Sequence, residues 1–370
     1  MPPFHSRELA VAVDMAGCPN RCRHCWLRNT PNRRMPPEML RQVAGEFRAW
    51  VRPGEARPFV EKLTVLSWYR EPDYAENYRE LWALEQALSD PGAARRFELL
   101  SIWRLARDEG YAPWAREIGT TACQITLFGL EQTTDWFTRR PGYFRDALLA
   151  TERLLAVGIR PRWQVILTTR ALSELPGLVR LIESLELDRR VEALGDEFDV
   201  FLNLPSPDGE AFRIEKLRID DTQLLLGVPF YLEWKTCRHF GRPTLSESLG
   251  RAEADWLPEL LRHDEPLAAQ PELLAFNVTP RLDVYSNLGE PAPWWRLGNL
   301  RADGIAAVMQ RFEEDAVPGL HALFHVPVAE LARTYGRPGN RQVYAREDLV
   351  TRWVRLWSKG HWAAQHSSSR

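Results

Sequence analysis

The residues with the most chemistry in this chain are three cysteines within eight positions, Cys18, Cys22 and Cys25. Their spacing is C-x3-C-x2-C, and the other two cysteines of the 370-residue chain, Cys123 and Cys237, stand alone. Three thiolates on one loop can hold three irons of a four-iron cluster and leave the fourth iron open to another ligand. A structural zinc site wants four ligands, usually as two separated pairs. Here there is one triplet. His24 adjoins Cys25, so the backbone cannot easily aim both at one metal, and nothing around His5 marks it as a ligand. A disulfide framework needs an even count and a secreted setting, and the sequence offers neither.

Such a triplet needs a rigid mount. Arg7–Asp14 is a short apolar run that reads as a buried strand, with the cysteines on the loop just after it. Pro36-Pro37-Glu38 then opens an amphipathic helix with Leu40, Val43 and Phe47 on one face. Strand and helix patterns keep alternating to about residue 205. Further strands are expected at Lys62–Trp68, Arg96–Trp103, Ala122–Phe128, Arg162–Thr168 and Asp199–Leu204. Six strand–helix units argue a parallel sheet with right-handed crossovers. Six are too few to close like an eight-unit barrel, so an α/β partial barrel of TIM-like type is expected, a (β/α)6 arrangement with chemistry at the C-terminal strand ends. A doubly wound open sheet is the alternative. Neither Gly-x-Gly-x-x-Gly after a strand nor a GKS-type phosphate loop is present.

After Pro207 the rhythm changes, and residues 208–370 read as a smaller α+β extension. Pro229–Trp234 looks extended, Ala275–Ser286 reads as one or two strands, and Arg346–Ser358 reads as a helix. The Ser367–Arg370 end reads as disordered. Apolar content of 45%, charged content of 26% and a net charge of −2 suit a soluble globular protein without a basic field for nucleic acid. No stretch resembles a secretory signal or a membrane span, and clustered free thiols suit a reducing cytoplasm. The fifteen tryptophans read first as a large aromatic core.

The cysteine triplet and the six-unit order resemble the radical S-adenosylmethionine (SAM) superfamily. Further motifs follow in the right order. Tyr69-Arg70-Glu71-Pro72, at the end of the second strand, stands where the family has Gly-Gly-Glu-Pro. Gln124-Ile125-Thr126-Leu127-Phe128-Gly129 is similar to the serine-containing strand end of peptide- and sulfatase-maturing members, and Asp135–Phe144 is similar to the segment before their fourth helix. Val278–Asn287 and Leu297–Leu300 resemble the SPASM/twitch-type extension, with no cysteine at the positions where that extension holds auxiliary clusters.

The resemblance implies a [4Fe-4S] cluster on Cys18, Cys22 and Cys25, with SAM on its open iron. It implies that Glu71 accepts from the SAM amino group, that Thr126 contacts SAM, and that His24 lies against the adenine. Arg139 or Arg140 stands where members bind the SAM carboxylate. Reductive cleavage of SAM would give a 5′-deoxyadenosyl radical that abstracts hydrogen from a bound substrate. Trp103, Arg104, Thr168, Arg170 and Asn203, at strand ends, are candidates for the surrounding wall, with Thr168 also near the cofactor. The expected partners are a small-molecule or peptide substrate and an electron donor such as flavodoxin or ferredoxin. A peptide-modifying maturase and a non-enzymatic protein with a structural iron–sulfur or zinc site are the alternatives.

Overall fold

The computed structural model describes residues 6–92, 98–268 and 274–367. Strand β1 (Glu8–Val13) is buried from Leu9 onward and lies between two parallel neighbours, β2 (Lys62–Leu66) and β7 (Leu274–Val278). A strand covered on both faces reads as a continuous apolar run, which is why Leu9–Val13 shows no alternation. The three-stranded parallel sheet β3-β4-β5 is built from Ala122–Leu127, Arg160–Ile166 and Asp199–Asn203. Its strands alternate: Ile125, Leu127, Trp163 and Val165 are buried, while Gln124, Thr126, Arg162 and Gln164 are only partly so. A two-stranded ribbon pairs β6 (Arg251–Ala252) with β10 (Val343–Tyr344). Strands β8 (Asp283–Tyr285) and β9 (Arg296–Asn299) continue the first sheet as an antiparallel meander, in the order β2-β1-β7-β8-β9.

Five of the six expected strands of the partial barrel form, and no sheet closes on itself among the described residues. The third, expected at Arg96–Trp103, does not. Residues 96 and 97 lie outside the described residues, 98–101 are irregular, and Ile102–Leu105 is a short helix. Ser101 caps that helix, its hydroxyl accepting from Arg104 N at 3.2 Å, and a serine cap outcompetes a strand ladder. The edge that β2 would have offered to a third strand is satisfied by side chains. Leu63 N donates to Asp90 Oδ2 (2.7 Å), Val65 N to Ser89 Oγ (2.9 Å) and Ser67 N to Glu85 Oε1 (2.6 Å). On the far side of the gap, Gln124 N donates to Glu98 O at 2.8 Å.

Helix α1 (Pro37–Ala49) starts on its proline and buries Leu40, Val43, Ala44 and Phe47. Next come α2 (Tyr78–Leu88), α3 (Ile102–Leu105), α4 (Tyr111–Glu117), α5 (Glu131–Thr138) and α6 (Tyr143–Ala156). The later part of the chain does more than cap the barrel, because β7 extends the main sheet beside β1. The sheet therefore crosses the boundary expected near residue 207. Pro229–Trp234 is not extended: Pro229 precedes a helix over Phe230–Phe240, a proline starting a helix rather than breaking one. The last helix runs from Arg346 to Ser367, past its expected end at Ser358. Of the terminal serine run only Ser367 is described, and it is helical. Among the described residues, no helix is long and apolar enough to cross a membrane.

Candidate active site

The cysteine loop leaves β1 through a turn that only glycine can make. Gly17 has φ +91°, and a Cβ there would collide with Asn32 and the Arg70 guanidinium. Asp14, at the end of β1, fixes this exit: its carboxylate accepts from Gly17 N at 3.0 Å and from Arg70 Nε at 2.9 Å. Asn32 brackets Cys18, accepting from its N–H at 3.1 Å and donating to its carbonyl at 2.8 Å. Further along, Arg21 N donates to Thr138 O (3.2 Å) and Arg23 N to Phe137 O (2.7 Å), tying the loop to the end of α5. Glu210 N donates to Cys25 O at 2.8 Å, and Gly209 sits so close to the Cys25 and Trp26 carbonyls that any side chain would clash. The loop is thus held from three sides.

The Cys18 thiol donates to Glu71 Oε2 at 3.8 Å, and Glu71 Oε1 accepts from Ser101 Oγ at 2.8 Å. Burial, the Glu71 carboxylate and the neighbouring thiols push Cys18 well above the ordinary thiol range. Burial, Cys25 and Glu71 do the same to Cys22, and burial lifts Cys25 to about 11. Metal coordination deprotonates a thiol outright, so a bound cation would reverse these shifts. Burial also lifts Glu71 to about 7, against the Ser101 hydrogen bond and the Arg140 charge. A neighbouring ammonium would favour its ionised form.

Three thiols on one loop, each able to bind a separate iron, are the donor set that a four-iron cluster takes. Three buried nitrogens near the loop lack a partner: His24 Nδ1, Arg70 Nη2 and Arg140 Nη2. Buried donors without partners are rare, and a bound polar ligand is a standard way to satisfy them.

His24 turns inward onto Phe128, ring centroids 4.3 Å apart, and burial lowers its pKa to about 3, so it is neutral. Thr126, on β3, donates to Gln164 Oε1 at 3.2 Å. It belongs to a polar row in which Gln124 Nε2 donates to Gln164 Oε1 (3.1 Å) and Arg162 to Gln124 Oε1 (2.9 Å). Its carbonyl accepts from Tyr143 OH at 3.2 Å. The two arginines diverge. Arg139 is exposed in a left-handed cap at the end of α5. Arg140 points at the loop, donating to Asn20 Oδ1 at 2.6 Å and pairing with Asp146. Thr168 is buried and spends its hydroxyl on Ala171 N at 3.3 Å, which closes a turn. Of the other wall candidates, Arg104 is locked onto the carbonyls of Asp73 and Ala75 (2.7 Å each), Trp103 packs edge-on against Tyr74, and Asn203 accepts from Leu204 N. Arg170 lies over the Trp136 ring.

Sequence reasoning missed Arg70, Tyr69 and Ser101. Arg70 pairs with Asp14 with both side chains about 5% exposed or less, and it also donates to Thr30 O at 2.7 Å. Tyr69 OH donates to Gly289 O, tying the turn after β2 to the later chain. The signal was available: Tyr69 and Arg70 stand where the resemblance would put glycines, and bulky residues there must have packing to do. Behind the loop, Arg355 Nε lies 3.1 Å from Asp208 Oδ1 and 3.0 Å from Glu290 Oε2, so one cation bridges two carboxyls. Burial and Glu290 push Asp208 upward, against Arg355.

No protein-family model and no curated protein sequence matches the chain. Among solved structures, it is similar to anSMEcpe with bound AdoMet and Cp18Cys peptide, at 11% identity and TM-score 0.49, covering 98% of this chain and 99% of that one. It is similar to SuiB of Streptococcus suis bound to precursor peptide SuiA, at 13% identity and TM-score 0.40, covering 76% of this chain and 59% of that one. Coproporphyrinogen III oxidase (HemN) from Escherichia coli, a radical SAM enzyme, gives 12% identity and TM-score 0.40, covering 97% of this chain and 92% of that one.

Proposed function

We propose that this protein is a radical SAM enzyme with one [4Fe-4S] cluster on Cys18, Cys22 and Cys25. The observation that carries the reading is the meeting of the thiol loop and Glu71: a carboxyl raised by burial, against a cysteine, at the C-terminal end of the parallel strands β1 and β2. When bound, the cluster and SAM supply one-electron cleavage chemistry that ends in hydrogen abstraction from the substrate. The chain's own residues position and shield. Glu71 receives the SAM ammonium, the unpaired Arg140 Nη2 is placed for its carboxylate, and neutral His24 with Phe128 offers an apolar wall for the adenine. The polar row Arg162–Gln124–Gln164–Thr126, on the partly exposed face of β3 and β4, would contact SAM or the substrate. The substrate is a small molecule or a peptide, and the reaction takes place in the cytoplasm with reducing equivalents from a small donor protein.

The test is anaerobic reconstitution with iron and sulfide, then incubation with SAM and dithionite. The expected result is a brown protein holding about four irons that forms 5′-deoxyadenosine. Stoichiometric zinc without visible thiolate-to-iron absorbance would overturn the reading.

A further inference from the structure

Resting on the reading above, we propose that Arg23 and Arg170, stacked on Trp136, form with Arg139, three residues further along, the docking surface for an acidic one-electron donor protein. The guanidiniums of Arg23 and Arg170 each lie 4.2 Å from the centroid of the Trp136 ring. Arg23 Nε also donates to Trp136 O at 3.1 Å. Arg139 follows α5 and is exposed, as is Arg170 after β4. Among the described residues none of the three arginines forms an ion pair. The acid nearest in the chain, Asp135, is turned away and accepts from Gly142 N and Phe144 N.

Three other arginines of this part of the chain are paired. Arg140 pairs with Asp146, Arg162 with Glu98 and Arg190 with Glu152. The net charge is −2, so a cluster of unpaired cations does not follow from a basic composition. Holding like charges together is unfavourable. Stacking on an indole offsets part of that, and an acidic partner would offset the rest.

The shape favours a protein over a small anion. Small-ligand sites are concave and bury most of the ligand. Here Arg139 and Arg170 are exposed and the indole between the stacked guanidiniums is half-buried. An open charged surface suits the small, weak and electrostatically steered encounters of electron transfer. The position favours a redox partner, because Arg23 lies between Cys22 and Cys25 on the thiol loop itself. In each encounter the donor loses one electron and the cluster gains one. No bond forms at the patch and no proton is needed there.

The test uses reconstituted protein, a reduced acidic flavodoxin as probe, and bleaching of the cluster's visible band in stopped flow. At low ionic strength Arg170→Glu should slow reduction by flavodoxin about tenfold, while Arg170→Lys stays near the parent. The difference should fade by about 0.5 M salt. Reduction by dithionite should be the same in all three proteins. Calorimetry with oxidised flavodoxin, which needs no cluster, should show weaker binding by Arg139→Glu/Arg170→Glu. Unchanged flavodoxin kinetics in Arg170→Glu would overturn the proposal, as would an equal slowing with dithionite. Normal cluster reduction with lost product formation would also overturn it, assigning the patch to an anionic substrate. A protein that takes up no iron brings down the underlying reading first, before any donor is added.

Discussion

The molecule has two halves that are built differently. One is the five-stranded sheet β2-β1-β7-β8-β9, whose core comes from residues 9–84 and 257–354. The other is β3-β4-β5, whose core comes almost wholly from residues 78–249. The first supplies the thiol loop, Asp14, Arg70 and Glu71. The second supplies Thr126, Arg140 and Tyr143. Within each half the backbone ladder is continuous; between them, among the described residues, it is interrupted. Across the gap Ser101 donates to Glu71, Arg104 grips the carbonyls of Asp73 and Ala75, and Tyr111 OH donates to Asp73. The candidate site therefore lies on a seam held by side chains, and single substitutions should separate the roles of the two halves.

The largest effect should come from the metal. Cys22→Ala should lose most of about four irons, whereas Cys123→Ala/Cys237→Ala should keep them all, because cluster thiolates are obligatory ligands. Loss of about half the iron from the double variant would show that the second half holds metal too. Next comes the buried pair on the first half's side of the seam. Arg70→Met strands Asp14 and should cost about 3–5 kcal/mol in urea unfolding. Arg70→Met/Asp14→Asn should recover part of that, and an additive double variant would show that the two residues act independently.

Cofactor binding should then divide unequally. Glu71→Ala removes a charge-assisted bond of roughly 1.5–3 kcal/mol, so SAM affinity should fall about tenfold to a hundredfold with iron content unchanged. Thr126→Ala, from the other half, should cost only about 0.5–1.5 kcal/mol. Equal losses in calorimetry would erase the asymmetry.

The smallest effect concerns Asp208, which burial and Glu290 raise from 3.8 to about 7. An acid whose folded pKa is raised stabilises the fold fully only below its unfolded pKa. That contribution is lost as pH rises through the interval, leaving the penalty of a buried charge above pH 7. Asp208→Asn should therefore gain stability relative to the parent between pH 5 and pH 8, by on the order of 1 kcal/mol. A difference in thermal midpoint that does not vary with pH would show that Arg355 fully compensates the charge.

The sequence made the regular parts legible. Leu9–Val13 and the alternating β3 and β4 announce themselves by period, and the thiol triplet by spacing. The missing third strand was not legible, because 98–103 is as apolar as a strand and only the Ser101 cap and the polar end of α2 decide against it. The pairing of β1 with β7 was hidden by sequence separation, since no local pattern says which distant strand will be the neighbour. Of the site, Glu71 was legible from its motif and lies against Cys18. Arg140 and Arg139 could not be told apart in the chain; the left-handed turn at Arg139 sends one outward and the other toward the loop.

The pairing of Leu9 with Leu274 has a consequence for synthesis. The first strand can pair with β2 across 54 residues, but its other edge must wait for a partner made 265 residues later, which at ribosomal rates is roughly 13–50 s. Strands β3, β4 and β5 pair across only 37 or 38 residues, Ala122 with Arg160 and Arg162 with Asp199. The middle of the chain can thus fold while the thiol loop, made first, still lacks its support. Limited proteolysis of ribosome-stalled chains should find β3–β5 protected before β1, and the reverse order would refute this. The thiol loop, made long before β7, is then late to reach its native surroundings, and its cysteines pass through that interval as open, unpaired thiols.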